Sequence, residues 1–345
     1  MSRDISDMIF LKSSESEFFS QDVAELFFQR YGQKPEIGHI EIGYFNNNEI
    51  DIQLKDSVRK KAVIIYHHFF GYDGATYDPN IGFMKLYLID DAIRNSSADE
   101  ITYILPHVPY QRQDRIEKPR KSISARRTIR MLKEPESTVP TRIVTFDMHA
   151  GQIQGFVNYP IDNLMAFPLF LDYFRKTGEN YAVVAPDAGG LARAKKLADS
   201  LEGSKLVVVG KTRAEAGKVA QIYIIGEELV DGRDVIIVDD LADTGRTLIA
   251  SAERLKKAGG KNIYACCTHP LLSSEINRKT GEIIWKPEKE FRDSGVKVIS
   301  TDTIPKTDEY LKKNEDWFTQ LSVKPIVAEA INEIQTGGSI SKLFK

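Results

Sequence analysis

The most informative stretch of this chain is RDVIIVDDLADTGRTLIASAERLKKAG, residues 233–259. Its aliphatic run Val235–Val238 predicts a buried strand, and Asp239 and Asp240 follow at the carboxyl end of that strand. A helix is predicted over Thr247–Ala258, because apolar residues recur at helical spacing and two glycines follow. Ligands of open α/β sheets gather where strands end, so this order of strand, acids, loop and helix predicts a binding site.

The loop between that strand and helix suits a phosphate group. Its residues are Asp243, Thr244, Gly245, Arg246 and Thr247. Backbone N–H groups, threonine hydroxyls and the positive end of a helix are donors that favour a phosphate dianion. The two preceding carboxylates could meet the 2- and 3-hydroxyls of a ribose held by its 5-phosphate, directly or through a divalent cation. An N-capping loop without a ligand is the competing interpretation, which the coincidence of two acids with this loop disfavours.

The composition of the chain excludes several classes of protein. Of 345 residues, 42% are hydrophobic and 28% are charged, which is enough apolar material for a core and excludes intrinsic disorder. Lys and Arg total 47 against 49 Asp and Glu, so no overall field favours nucleic acid or an anionic membrane. The longest aliphatic runs are about four residues, far below the ~20 that cross a bilayer.

Cysteine usage and the start of the chain predict a cytoplasmic protein. Cys266 and Cys267 are neighbours in sequence and make a poor disulfide pair, as expected in a reducing compartment. The first residues lack the basic and then apolar segments of a secretory signal. We therefore expect a cytoplasmic location and no membrane partner.

Short apolar runs alternate with helical patterns along the chain. The runs that predict strands are 62–66, 101–105, 142–146, 181–185, 205–209, 235–238 and 263–267. Several lack the polar alternation of half-exposed strands, which favours parallel strands covered on both faces. Two α/β domains are expected, over 1–163 and 164–325, with a helix in 326–345 that packs back on the first. The polar stretch 273–295 is interpreted as a solvated connection.

Further motifs point to the family that the chain resembles. In chain order they are PYQRQDR at 109–115, TFDMHA at 145–150, QIQGF at 152–156 and APDAGG at 185–190. Together with the phosphate loop they resemble the ribose-phosphate pyrophosphokinases, also called phosphoribosyl pyrophosphate synthetases, over most of the chain. The resemblance implies two phosphoribosyltransferase-type α/β domains, each a mainly parallel sheet flanked by helices.

The resemblance also implies a reaction. The β,γ-diphosphoryl group of ATP would pass to the anomeric hydroxyl of ribose 5-phosphate, giving phosphoribosyl pyrophosphate and AMP. Catalysis is expected from His149 and from Lys211 and Arg213 on a mobile loop, whose cations stabilise charge on the transferring group. His149 and Asp187 would hold magnesium. Asp187, Asp239, Asp240 and the loop residues Asp243 to Thr247 would bind ribose 5-phosphate.

For ATP, the resemblance implies a purine site and a phosphate site. The expected residues are Phe45, Asn47, Glu49, Arg112, Gln113, Asp114 and His149. Asn47 and Asn48 stand where the family has an acidic residue and a glycine. Asparagine tolerates the left-handed backbone, so we expect the turn to survive at Asn48.

Gly245–Arg246 stands where the family has a small residue followed by glycine. Arg246 could contact phosphate, or it could reshape the acceptor pocket for a larger 5-substituted ribose such as ADP-ribose.

A noncatalytic regulatory subunit and a base phosphoribosyltransferase that consumes the product are two more functions compatible with this fold. The resemblance further implies a homo-oligomer, a hexamer or a dimer. The basic segment 115–134 is interpreted as a site for ATP phosphates or a regulatory anion, with about half of its charges solvated.

Overall fold

The computed structural model describes residues 7–13, 16–71, 76–132, 137–211 and 222–344. This part of the chain divides into two compact units: the first runs to Met165 and resumes at Lys324, and the second is Ala166–Val323. None of the helices described is both long enough and apolar enough to span a membrane.

The first unit is built on one sheet. In chain order its described strands and helices are β1 (Met8–Lys12), α1 (Glu17–Tyr31), β2 (Glu36–Tyr44), β3 (Ile50–Leu54), β4 (Ala62–Tyr66), α2 (Pro79–Asn95), β5 (Glu100–Ile104), α3 (Ser124–Arg130), β6 (Thr141–Phe146) and β7 (Ile161–Leu164). The strand order is β3-β2-β1-β4-β5-β6-β7. Neighbouring strands are parallel except β2 and β3, which form an antiparallel hairpin.

The second unit repeats this plan. Its described elements are α4 (Phe167–Thr177), β8 (Ala182–Ala185), α5 (Leu191–Ser200), β9 (Lys205–Lys211), β10 (Ile222–Ile225), β11 (Val235–Ala242), α6 (Arg246–Lys257), β12 (Ile263–Pro270), β13 (Glu275–Ile276), β14 (Ile283–Trp285), α7 (Pro287–Ser294), β15 (Lys297–Thr301), α8 (Asp308–Lys313) and β16 (Phe318–Leu321). The sheet order is β10-β9-β8-β11-β12-β15-β16, and β13 pairs with β14 as a separate hairpin. The β9–β10 pair is antiparallel and the other neighbours in the sheet are parallel.

Both sheets therefore have a point at which the strand order reverses. It lies between β1 and β4 in the first unit and between β8 and β11 in the second. The loops that leave neighbouring strands diverge there, which opens the crevice in which doubly wound sheets bind ligands.

The second sheet is buried on both faces. Along β11, Val235 and Ile237 pack in one apolar cluster with Leu248 of α6, whereas Ile236 and Val238 pack in another with residues of α5. Side chains alternate between the faces of a strand, so a strand covered on both sides reads as a continuous apolar run. The parallel, doubly covered sheet expected from the sequence is confirmed.

A last helix, α9 (Lys324–Thr336), completes the first unit by packing on α1. Val327 and Ile331 are buried on its inner side. Lys324 Nζ lies 2.5 Å from Asp22 Oδ2, which adds an ion pair between α9 and α1.

The stretch 273–295 is more ordered than the sequence suggested. It contains the β13–β14 hairpin and α7, and Phe291 of α7 is fully buried. The Phe291 ring stacks on Trp317 with centroids 5.4 Å apart. Its interpretation as a solvated connection was wrong, because scattered apolar residues among many charges conceal a short amphipathic helix.

Candidate active site

Three carboxylates lie at the reversal point of the second sheet. Asp239 and Asp240 stand near the end of β11, and Asp187 follows its parallel neighbour β8. Asp187 Oδ1 accepts a hydrogen bond from the N–H of Gly190, 3.0 Å away, which fixes the turn into α5. The structure thus brings together the acids that the sequence assigned to ribose phosphate.

Burial and mutual repulsion shape the charge of this cluster. Burial, followed by the neighbouring Asp240 carboxyl, raises the pKa of Asp239 well above its ordinary value, and Asp187 adds to the effect. Burial disfavours the charged form of Asp239, and the neighbouring Asp240 carboxyl disfavours it further. A ligand that brings hydroxyl donors or a cation would relieve this repulsion.

Arg193 is a residue of this cluster that the sequence reasoning missed. It lies on α5, and its Nη2 is 2.9 Å from Asp240 Oδ1 and 4.0 Å from Asp239 Oδ1. Its Nε is buried without a hydrogen-bond partner among the residues that the structure describes. Its position in the sequence could have indicated this contact, because Arg193 lies on the helix that follows Gly189–Gly190 and that helix begins at the same sheet edge as the acids.

The predicted phosphate loop joins β11 to α6. Gly245 adopts a left-handed backbone, with φ 74°, and caps α6, which begins at Arg246, one residue earlier than expected. A Cβ atom at Gly245 would lie 2.5 Å from the ring of Phe291, so position 245 requires glycine for both its backbone and its packing. Thr247 and the Arg246 side chain are exposed at the start of the helix.

Two of the predicted ATP segments of the first unit follow β5 and β6, which are parallel neighbours. The side-chain oxygen of Gln111 accepts from the N–H of His149 at 2.8 Å. Asp114 is buried, and its Oδ2 accepts from Gln152 Nε2 at 2.8 Å. Arg112 and His149 are exposed. The two segments are therefore bound to each other, and the structure exposes the cationic group of one and the imidazole of the other.

Gln113 also makes a contact within the first unit. Its side-chain oxygen accepts from the hydroxyl of Ser124 at the start of α3, 2.8 Å away. Gln113 and Asp114 therefore both have a bracing role that their motif does not reveal, because a brace and a ligand contact use the same residue types.

The predicted purine-binding turn connects β2 to β3. Asn48 has φ 66°, which confirms that asparagine supplies the left-handed conformation here. The side-chain oxygen of Asn47 accepts from the N–H of Glu49 at 3.2 Å, so the amide stabilises the turn. Phe45 is 56% exposed, which leaves its ring face accessible for stacking.

Lys211 is the last residue of β9 and pairs with Ile222 of β10. Its side chain and the whole of Arg213 lie outside the described residues. The two antiparallel strands mark where the predicted catalytic loop leaves and rejoins the second sheet.

Comparisons with known proteins agree with this architecture. Residues 8–135 match the N-terminal domain of ribose phosphate pyrophosphokinase, and residues 168–298 match the phosphoribosyl transferase domain. Ribose-phosphate pyrophosphokinase of Marinomonas sp. is 37% identical over 311 residues, which cover 89% of this chain and 91% of the relative. The enzyme of the same name from Campylobacter jejuni is 38% identical over 304 residues, covering 87% of this chain and 89% of the relative.

This chain belongs to the ribose-phosphate pyrophosphokinase family. The phosphoribosylpyrophosphate synthetase of Mycobacterium smegmatis has a similar structure, with a TM-score of 0.78 and 29% identity, covering 96% of this chain and 99% of that one. The predicted family and fold class are confirmed. Enzyme names among these relatives do not favour a regulatory subunit, an ADP-ribose acceptor or a base transferase.

Proposed function

We propose that this chain transfers the diphosphoryl group of ATP to the anomeric hydroxyl of ribose 5-phosphate, giving phosphoribosyl pyrophosphate and AMP. Membership of the ribose-phosphate pyrophosphokinase family supports the reaction. The main support for the acceptor site is the order of β11, the acidic pair, the phosphate loop and α6, with Asp187 just after the neighbouring strand β8.

The acceptor is held at two ends. The loop Asp243–Thr247 and the start of α6 bind the 5-phosphate, because backbone amides and the helix N-terminus favour an anion. Asp239 and Asp240 accept hydrogen bonds from the ribose hydroxyls, and Arg193 keeps Asp240 oriented through its 2.9 Å contact. Holding the sugar at both ends restricts its orientation, which favours transfer to its anomeric oxygen.

The carboxylates of the second unit also fit a magnesium ion. Mg²⁺ prefers oxygen ligands, keeps several waters and is commonly bound through one or two carboxylates and substrate phosphates. No cluster of three or more His, Cys, Asp or Glu residues forms a ready-made metal site in the described ranges. Asp187 is exposed, and its Oδ1 accepts from the N–H of Gly190. Its carboxylate therefore has an oxygen suited to an ion that the substrate phosphates also bind. Magnesium would supply charge neutralisation of the crowded phosphates.

His149 is the second metal ligand that we propose, and it belongs to the first unit. An imidazole is a softer donor than magnesium prefers, so contact with the ATP phosphates is the better supported part of its role. Its backbone N–H is held by Gln111, which fixes the segment that carries the imidazole.

ATP is bound by the first unit in this proposal. Phe45 stacks on the purine, and Glu49 accepts from its exocyclic amine. Arg112 and His149 contact the phosphates, whereas Gln113, Asp114 and the Asn47 amide hold the segments in shape. Lys211 and Arg213 stabilise charge that develops on nonbridging oxygens during transfer.

Assembly and location follow from the family alone. We propose a homo-oligomer in the cytoplasm, with ATP and ribose 5-phosphate as small-molecule partners. Light scattering of the purified chain measures its assembly directly.

An assay of the purified chain tests the proposed reaction. With ATP, magnesium and ribose 5-phosphate, we expect one AMP for each phosphoribosyl pyrophosphate formed, and no AMP when ribose replaces the phosphorylated sugar. Release of ADP, or no turnover, would overturn the proposal. Turnover by this chain without another subunit also excludes a purely regulatory role, and a purine or pyrimidine base should not be needed.

A further inference from the structure

The Arg246 side chain is held by two residues of the β13–β14 hairpin. Its guanidinium carbon lies 4.2 Å from the centroid of the Trp285 ring, within the range of a cation–π contact. Its Nη2 lies 2.8 Å from Glu275 Oε2. One face of the guanidinium is therefore stacked and one edge is paired, which restricts its rotation.

This position is unusual for a cation. Arg246 is the first residue of α6, where the unpaired amide groups of the helix carry partial positive charge. A cation at a helix N-terminus is disfavoured, whereas an anion is stabilised there. The Glu275 carboxylate supplies one negative charge, and a bound phosphate would supply more.

The hairpin that holds Arg246 is itself attached to the phosphate loop. Trp285 Nε1 donates to the carbonyl oxygen of Thr244 at 2.8 Å. Where the chain leaves β12, the N–H of Ser273 donates to the carbonyl oxygen of Asp243 at 2.9 Å. The last residue of the hairpin and the segment that leads into it therefore both contact the phosphate loop.

Outside Trp285, most of the hairpin is exposed. A two-stranded hairpin is marginally stable alone, and Ile276, Ile283 and Ile284 are each at least half exposed. Trp285 packs against the apolar core of the second unit and also donates to the loop, so a change in the hairpin reaches the loop through Trp285.

We propose that Trp285 and Glu275 are positioning residues that hold the Arg246 guanidinium at the sugar-phosphate loop, where Arg246 selects an acceptor carrying a 5-phosphate monoester. The proposal rests on the proposed function and names the determinant of its acceptor. A guanidinium with fixed orientation can offer two parallel N–H donors to a phosphate dianion. An unphosphorylated ribose would bring no anion to these donors.

Acceptor affinity and turnover measured separately test this assignment. Calorimetric titration of ribose 5-phosphate with α,β-methylene-ATP and magnesium gives Kd without turnover. Arg246→Ala should raise Kd and the KM for ribose 5-phosphate about 10- to 100-fold, while kcat falls less than threefold and the KM for ATP stays constant. Arg278→Ala, which removes an exposed arginine of the same hairpin, should change Kd less than twofold.

Substitutions of the hairpin separate positioning from folding. Trp285→Leu should raise Kd about five- to tenfold and Glu275→Gln about twofold, whereas Trp285→Phe, which keeps a stacking face, should recover most of the affinity. In the Arg246→Ala background, Trp285→Leu should cause no further rise in Kd, because its effect passes through Arg246.

Additive effects in that double variant, or an unchanged Kd in Arg246→Ala, would overturn the proposal. Thermal unfolding of each variant shows whether a weak binder is still folded. If Trp285→Leu is unfolded, the Kd of Trp285→Phe compared with that of the wild type decides instead. If the wild-type chain binds ribose 5-phosphate but releases no AMP, the proposed reaction fails while the affinity series still decides the role of Arg246. If it binds no ribose 5-phosphate, both fail.

Discussion

The two units place different chemistry at the same point of the same topology. The strands β4 and β11 correspond, because each lies beside the reversal point of its sheet. When their first paired residues, Ala62 and Val235, are aligned, Tyr66 and His67 of the first sheet occupy the places of Asp239 and Asp240 in the second. Tyr66 stacks on Phe19 of α1, with ring centroids 3.5 Å apart. The reversal point is thus filled by rings in the first unit and lined by carboxylates in the second.

The turns that follow the central strands differ in the same way. Ser13 occupies the place of Asp187, and its hydroxyl lies 3.3 Å from that of Ser16, so these two hydroxyls satisfy each other. In the second unit the corresponding turn presents the Asp187 carboxylate. A shared topology offers the position, and the residues decide whether it becomes a site.

The largest expected difference concerns Asp239 and its counterpart. Asp239→Asn should lower kcat/KM for ribose 5-phosphate by at least about 100-fold, because a charged hydrogen-bond acceptor is lost. The free energy of unfolding at pH 8 should stay constant or rise, since the amide removes a carboxylate whose ionisation is disfavoured. Tyr66→Phe is the matched change in the first unit and should alter kcat/KM less than threefold. Equal losses of activity in both variants would contradict the comparison.

The second prediction concerns pH. Burial lowers the pKa of His67 to about 4, so the unfolded chain takes up a proton at higher pH than the folded one. The contribution of His67 to stability is complete above about pH 6.5 and is lost as the pH falls toward 4, by about 3 kcal/mol. His67 Nε2 lies 2.9 Å from the carbonyl oxygen of Gly82, and the side-chain amide of a glutamine can donate to the same oxygen. As the pH falls, the free energy of unfolding measured in urea should decrease less steeply in His67→Gln than in the wild type. The same slope in variant and wild type would reject this.

The third prediction concerns the phosphate loop. Gly245→Ala should reduce the free energy of unfolding by about 2 kcal/mol, combining left-handed strain with contact against Phe291. Gly232→Ala is matched because Gly232 has φ 70° and no atom within 4 Å of an added Cβ. It should cost about 1 kcal/mol and spare activity. If the two variants lose the same stability, packing on Phe291 contributes nothing.

The smallest expected effect lies in the aromatic group of the first unit. Phe19→Leu should destabilise the chain by about 1 kcal/mol, because it shortens a buried side chain stacked on Tyr66. Activity below the unfolding transition should be unchanged, since we assign no substrate to this reversal point. A rise in the KM for either substrate would mean that this part of the first unit takes part in binding.

The sequence predicted the phosphate loop and seven strands, because each is a local pattern; the strands are β4, β5, β6, β8, β9, β11 and β12. It did not show β1, β2 or β3 as strands: β1 is a single five-residue run that ends in a lysine, and β2 and β3 form an antiparallel hairpin in which most side chains are exposed or half-exposed. It could not show Trp285 against Arg246 or Arg193 against Asp240, since these contacts join residues far apart in the chain. The motif also could not show whether Gln113 and Asp114 hold neighbouring segments in place or bind ATP, because the same residue types serve both purposes.

Position-specific labelling of ATP distinguishes transfer of the diphosphoryl group from transfer of a single phosphoryl group. In separate reactions of the purified chain with ribose 5-phosphate and magnesium, ATP carries ³²P in its α, β or γ phosphate. We predict that the α label appears in AMP and that the β and γ labels both appear in phosphoribosyl pyrophosphate. A β label that remains in a nucleotide diphosphate would contradict diphosphoryl transfer.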